Sequence, residues 1–301
     1  MAMDKRFRLC FKATEDGELL RDAIRKQGIS SKALTAIKYN GGEILVNDVE
    51  RNVRHLLMCG DEVTIIFPEE EVSTSLVPEK GELNIVYEDE ALLIIEKLAF
   101  LNTIPSREHP SGSIANFVYD YLINQGIHST VHVVTRLDRD TSGLVCIAKH
   151  RHIHHLMGIA QKEGKILKEY EAIVHGHVEC DEQSIIAPIG RKETSIIERE
   201  VREDGQFAHT DVTVLKRTYY NGEPITHVRL VLHTGRTHQI RVHMAHIGHP
   251  LVGDELYGGS KAFLSRQALH CVYLEFVHPL QKKKVNFTSE IVESMKKLVH
   301  D

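Results

Sequence analysis

Within five residues the chain sets Arg136, Asp138, Arg139 and Asp140, between the apolar runs Val133-Val134 and Leu144-Val145. Two carboxylates and two guanidinium groups alternate there, in a loop at a strand end, where a rigid sheet can display reactive groups. In extended backbone Arg136 and Asp138 share a face, and Arg139 and Asp140 are placed differently. Thr141-Ser142-Gly143 suits a tight turn that fixes the loop. A solvated, salt-bridged loop has the same composition.

A second such stretch runs His233-Thr234-Gly235-Arg236-Thr237-His238-Gln239-Ile240-Arg241-Val242-His243 and on through His246, His249 and Pro250 to LVGDELYGG. Gly235 punctuates a strand end and Thr237 suits a helix cap. Arg236 and Arg241, five apart, need not point the same way. His238, His243, His246 and His249 are dense enough to suggest a metal site. No Cys and no His-Glu-x-x-His accompanies them, so no metal is expected. His150, His152, His154 and His155 read as a polar helix face.

The elements that must position these residues follow from hydrophobic periodicity. Helical spacing predicts Gly17 to Gln27, Ser31 to Tyr39, Ser113 to Asn124, His152 to Glu163 and Gln239 to Ile247. Strand-like runs are Glu43 to Val46, Glu62 to Phe67, Leu83 to Tyr87, Leu92 to Glu96, Val131 to Thr135, Leu144 to Ala148, Tyr170 to His175, His227 to His233 and Val272 to Phe276. The predicted fold class is α+β: a mixed, largely antiparallel sheet with flanking helices behind a small α+β N-terminal domain. Clustered Glu69-Glu70-Glu71, a Ser/Thr-rich stretch and Pro78 predict a flexible linker. The expected division is 1–70, a linker at 71–81, and 82–301.

With 301 residues, 42% hydrophobic and 26% charged, the composition is that of an ordinary globular protein. No run approaches the roughly 18 apolar residues of a membrane span, and no signal-peptide core opens the chain. The five scattered cysteines include no Cys-x-x-Cys pair, which suits a reducing compartment. A cytoplasmic location is expected. A net charge of −5 excludes a polybasic binder but leaves room for a local basic face.

The two segments together resemble the RluA/RluD-type pseudouridine synthases, whose signature is HRLDxxTSG followed far downstream by TGRTHQIRVH…GHPxxGDxxYG. Here the chain reads TRLDRDTSG and TGRTHQIRVHMAHIGHPLVGDELYGG. VYEDEALLIIEKLAF resembles the family's opening strand pair, and KEYEAIVHG its Lys-x-Tyr strand. The likeness covers about Leu83 to Phe287. In front of it, a helix, a Gly turn, ILVN and then CGDEVTI resemble the S4 RNA-binding module, with Ser30, Ser31, Lys32, Lys38 and Asn47 at its RNA-facing positions.

The resemblance implies an enzyme that breaks the C1′–N1 bond of a uridine, turns the uracil and rejoins it through C5. Nothing is oxidised and nothing leaves, so no cofactor is needed. Asp138 matches the catalytic aspartate, Arg241 its basic partner and Tyr170 the active-site tyrosine. Arg136 matches a residue that aids extrusion of the nucleotide, and Arg236 suits a phosphate. Lys32 and Lys38 are the N-terminal RNA contacts. Lys162, Lys165, Lys168, Arg191, Lys192 and Lys282 to Lys284 are further phosphate candidates. The expected partner is RNA, with ribosomal RNA ahead of transfer RNA; no membrane or metal partner is expected, and the chain is expected to be a monomer. The rival readings are an RNA-binding or ribosome-assembly factor without activity, and a metal-dependent hydrolase. Three positions depart from the pattern: Thr135 replaces the signature His, Leu98 a usual Pro, and Phe100 a usual Gly. The first should alter loop hydrogen bonding and spare the chemistry; the others bear on the pocket rim.

Overall fold

The computed structural model describes residues 6–71, 76–106, 109–127 and 129–299. The N-terminal part contains β1 (Arg8–Lys12), α1 (Leu20–Lys26), α2 (Ser31–Tyr39), β2 (Glu43–Val46), β3 (Val49–Glu50) and β4 (Glu62–Ile66). Its four strands form an antiparallel sheet in the order β1-β4-β2-β3. Asn47 and Asp48 take φ of 51° and 62°, the left-handed pair that a two-residue hairpin needs. In α2, Ser30 caps the first turn by accepting from Ala33 N, and Leu34 and Ile37, three apart, face the core. That core closes on Leu20, Ile24, Leu57, Val63 and Ile65.

The larger part carries β5 (Asn84–Glu88), β6 (Leu92–Lys97), α3 (Ile114–Asn124), β7 (His132–Val133), β8 (Ser142–Ala148), α4 (Arg151–Lys162), β9 (Leu167–His175) and β10 (Glu182–Ile186). It continues with β11 (Ile189–Arg191), β12 (Arg199–Val201), β13 (His209–Tyr220), β14 (Glu223–Leu232), α5 (Gln239–His246), β15 (Leu269–Val277), β16 (Lys284–Thr288) and α6 (Glu293–Val299). Ten strands build one sheet, with the path β10-β13-β14-β9-β15-β8-β6-β5 and with β16 and β7 attached. Among the described strands of this sheet β15 and β8 pair in parallel and the other pairings are antiparallel. This is the expected mixed, largely antiparallel sheet. β8 is buried along its whole length, as a central strand covered on both faces must be. At Gly143 (φ 111°) a Cβ would lie 2.4 Å from the Cys271 carbonyl oxygen, so β8 and β15 can meet there only through glycine.

The two parts meet at the start of α4. His150 stacks on Phe7 and His152 on Phe67, with ring centroids 4.4 and 5.1 Å apart. Both imidazoles are buried, which corrects their reading as a polar helix face; His154 and His155 are exposed. Packing against a second domain leaves no trace in the local pattern. Glu70, expected in a flexible acidic stretch, is also buried: it lies 2.7 Å from His132 Nε2 and accepts from Arg151 N at 2.6 Å. Residues 72–75 of the expected linker lie outside the described residues.

Candidate active site

Asp138 lies in the loop between β7 and β8, and several separate anchors hold that loop. Thr103 Oγ1 donates to the Leu137 carbonyl at 2.8 Å and accepts from Leu137 N at 3.2 Å. Thr141 N closes the turn onto the Asp138 carbonyl at 3.1 Å. Arg266 donates to the Asp140 carbonyl. Lys97, at the end of β6, gives its three ammonium protons to the carbonyls of Leu98, Leu101 and Arg139 at 2.8–2.9 Å. Its burial, opposed by the charges of Asp138 and Asp140, lowers its pKa to about 7. Thr135 is buried and its hydroxyl accepts from Cys146 N at 2.9 Å, so it fixes the loop entry where the signature has His.

The partner of Asp138 comes from α5. Arg241 Nη1 donates to Asp138 Oδ2 at 3.2 Å, while Nε and Nη2 grip both oxygens of Asp254 at 2.7 Å. Burial opposes the Arg241 charge, but the Asp254 hydrogen bonds and the two carboxylates outweigh it and raise the pKa. The Tyr257 ring covers the guanidinium, 4.9 Å from its centroid. His238 stands ahead of α5 with φ 57°, in the left-handed region. This turn brings its Nε2 to 3.8 Å from Asp138 Oδ2 and its Nδ1 to 2.8 Å from the Tyr257 hydroxyl. Burial depresses the His238 pKa, against the pull of Asp138.

Tyr170 on β9 forms the floor. Burial, with Cys271 and Asp138 nearby, raises its pKa well above the ordinary value, so the phenol keeps its proton. A cleft of about 610 Å³ opens over Asp138, Tyr170 and Arg241 and is also lined by Arg136, Arg236 and Lys168. Arg136 is exposed at its rim. Arg236 is turned back onto the Phe207 carbonyl and Gln206, both at 2.9 Å. The Lys168 ammonium makes no hydrogen bond or ion pair among the described residues, and burial lowers its pKa. Lys165, Lys192 and Lys284 each pair with a glutamate instead.

Lys32 and Lys38 lie on α2, away from this cleft; Lys38 rests 4.9 Å from the Tyr39 ring centroid. Asn47 is committed to the start of the neighbouring strand β4, donating to Asp61 Oδ1 and accepting from Glu62 N. Of the histidines that suggested a metal, His238, His243 and His249 are engaged separately, and His246 is exposed. Both nitrogens of buried His243 reach Thr210 and the Ala187 carbonyl, and His249 reaches the His175 carbonyl. Among the described residues, one other group, His209, Asp211 and His233, gathers ligand atoms within 4.8 Å. Register places it on the sheet face opposite Tyr170. Its imidazoles stack 20° from parallel, each against one Asp211 oxygen. Sequence reasoning missed Asp254, His238, Tyr257 and Lys97 as parts of the centre. Asp254 and Tyr257 stood inside the GDELYG segment, and that was the available signal.

The family model described as RNA pseudouridylate synthase matches residues 91–246, a span that holds Asp138, Tyr170 and Arg241. The chain belongs to that family. It is an RNA pseudouridine synthase, an isomerase. "Uncharacterized RNA pseudouridine synthase YjbO" of Bacillus subtilis (strain 168) is 48% identical, over 90% of this synthase and 95% of its own length. "Ribosomal large subunit pseudouridine synthase D" of Escherichia coli (strain K12) is 35% identical, over 80% of this chain and 77% of its own. The solved structure of human RNA Pseudouridylate Synthase Domain Containing 1 superposes with a TM-score of 0.62 at 27% identity, covering 73% of this synthase and 90% of the human chain.

Proposed function

We propose that this synthase isomerises specific uridines in structured RNA, with large-subunit ribosomal RNA as the first candidate and transfer RNA the second. Relatives named for the ribosomal large subunit support that order. The observation that carries the catalytic assignment is the Asp138–Arg241 pair, 3.2 Å apart beside Tyr170 in a cleft that admits a nucleotide.

A uridine stacked in RNA must first be extruded. Arg136 fills the vacated space or holds a phosphate at the rim, and Arg236 turns toward the backbone. Asp138, held by Arg241 Nη1 through Oδ2, then attacks C1′ or removes the C2′ proton; either step releases uracil from C1′. Tyr170 stacks on the detached base, an interaction worth about 1–3 kcal/mol in nucleic-acid sites. Its protonated hydroxyl reaches the edge where C5 exchanges its hydrogen for the sugar. The reaction is redox-neutral and needs no cofactor.

Residues 1–70 serve as an S4-like RNA-binding domain, with Lys32 and Lys38 on phosphates, joined through 71–81 to the catalytic domain 82–301. The enzyme acts as a cytoplasmic monomer with no membrane partner and no metal in its reaction; no described helix is long and apolar enough to cross a membrane. Asp138→Asn should abolish tritium release from [5-³H]uridine-labelled RNA while RNA affinity stays near that of the parent. An active variant would refute the catalytic assignment.

A further inference from the structure

One cluster outside the cleft carries the donor set of a metal centre. His209 and Asp211 lie two apart at the start of β13, so the alternation of the strand turns both to one face. His233 directly follows β14. The antiparallel register that pairs Thr210 with Leu232 brings it opposite His209, whose carbonyl accepts from His233 N at 3.2 Å. From these positions His209 Nε2 lies 3.0 Å from Asp211 Oδ1, and His233 Nε2 lies 2.6 Å from Asp211 Oδ2. The two rings stack with centroids 4.2 Å apart, so both nitrogens are delivered to the same carboxylate.

These separations suit coordination. Zn²⁺ takes imidazole nitrogen and carboxylate oxygen at about 2.0–2.2 Å, which sets neighbouring donors of its shell about 3 Å apart. Neither Nδ1 makes a hydrogen bond among the described residues. Each ring can therefore keep its proton there and offer the Nε2 lone pair without giving up a partner. Ser184 Oγ donates to Asp211 Oδ1 at 2.5 Å, the outer hydrogen bond that orients a ligating carboxylate. The side chains of His209, Asp211 and His233 are 24, 39 and 45% exposed, which leaves open positions for water on a bound ion. Two imidazoles and one carboxylate favour Zn²⁺ and its neighbours over Mg²⁺ and Ca²⁺, which take oxygen ligands.

The cluster sits on the strand ends that lead into α5. His209 N donates to Thr234 Oγ1 at 3.0 Å, and the His209 carbonyl accepts from Gln239 Nε2, the first residue of α5, at 2.9 Å. We propose that His209, Asp211 and His233 bind one divalent transition-metal ion, Zn²⁺ or a close neighbour, which ties the end of β14 to the start of β13 beside that turn. The ion is structural. It lies on the sheet face opposite Tyr170, and isomerisation draws on none of its three ligands. The site goes beyond the isomerase reading and does not depend on it.

Zn²⁺ is the probe, titrated against a fluorescent chelator into the full chain after stripping with EDTA. A single tightly held ion per chain is expected. Asp211→Asn and His233→Gln should each weaken it by at least the roughly 10–100-fold that loss of even an outer partner costs a metal site. His246→Gln, which removes an exposed imidazole elsewhere, should bind as the parent does. Zn²⁺ should raise the melting temperature of the parent, because the ion binds the folded chain, and of neither ligand variant. Melting without metal shows which variants are folded. X-ray absorption of the Zn²⁺-loaded parent needs no variant and should show two imidazoles in the first shell. Uptake unchanged in a folded Asp211→Asn or His233→Gln, a first shell without two imidazoles, or displacement of Zn²⁺ by excess Mg²⁺ overturns the proposal. The cluster is then a carboxylate shared by two histidines and nothing more.

Discussion

Arg241 divides its guanidinium unequally: two donors go to Asp254 and one to Asp138. The Asp254 side chain is 1% exposed and that of Asp138 30%, so the inner carboxylate is structural and the outer one faces the cleft. Removing one member of a buried pair leaves the other charge uncompensated, which costs about 3–5 kcal/mol. Asp254→Asn, keeping the shape and losing the charge, should cost about half of that. It should also lower kcat by about a hundredfold, the order of loss expected when a catalytic group is misplaced. Chemical denaturation and single-turnover tritium release check the two effects, and an unchanged kcat would refute the positioning role. Asp138 and Arg241 were legible because the two motifs holding them occur in a fixed order. Lys97 was not: a lysine ending a strand does not announce that three carbonyls will surround it. Phe100 has a physical reason to draw notice, since it takes φ 69°, a region that suits the usual glycine and strains a bulky side chain.

At the scale of elements, strands marked by an unbroken apolar run or by a clean alternation were the readable ones, and Glu43 to Val46, buried on one face only, was read at its exact bounds as β2. The run Leu144 to Ala148 predicted β8 within two residues of its start. β13 went unread because its second half is largely solvent-facing, through Leu215, Lys216 and Arg217, and breaks the alternation that Val212 and Val214 begin. The start of α4 was misread for a different reason: its burial is supplied by Phe7 and Phe67 from the other domain. That junction should be sensitive to acid. His132, the Arg151 N–H and His150 outweigh burial and hold Glu70 at a pKa of about 2, below its usual 4.5. Its contribution is complete above about pH 4.5 and is lost as pH falls toward 2. Burial lowers His150 to about 3 and His152 to about 4, from 6.5. The unfolded chain therefore binds more protons below pH 6.5, and stability declines from there downward. Glu70→Gln should destabilise the protein at pH 7 by at most about 3 kcal/mol, the linkage value of its shift, and flatten the curve between about pH 4.5 and 2. Urea unfolding across pH checks both, and a parallel pair of curves would refute the clamp.

The whole molecule carries a net charge of −5 and still handles a polyanion, so its cations must be arranged locally. The N-terminal part has its own hydrophobic core, separate from the main core of the larger part, and among the described residues packed against these two only Phe7 and Leu280 serve both. The larger core contains Tyr170, and the loop carrying Asp138 is anchored by β6, α5 and the residues before β15, none of them N-terminal. Removing residues before Gly81 should therefore leave tritium release measurable at saturating RNA. It also removes Lys32 and Lys38 and strips Phe67 from His152. The truncated enzyme should bind RNA more weakly and with a shallower salt dependence, by about 0.9 in the log–log slope for each duplex phosphate no longer neutralised. Anisotropy titrations over a salt series compare the two slopes directly. If slope and affinity match those of the full chain, the N-terminal domain neutralises no phosphates, and recognition lies wholly within the cleft.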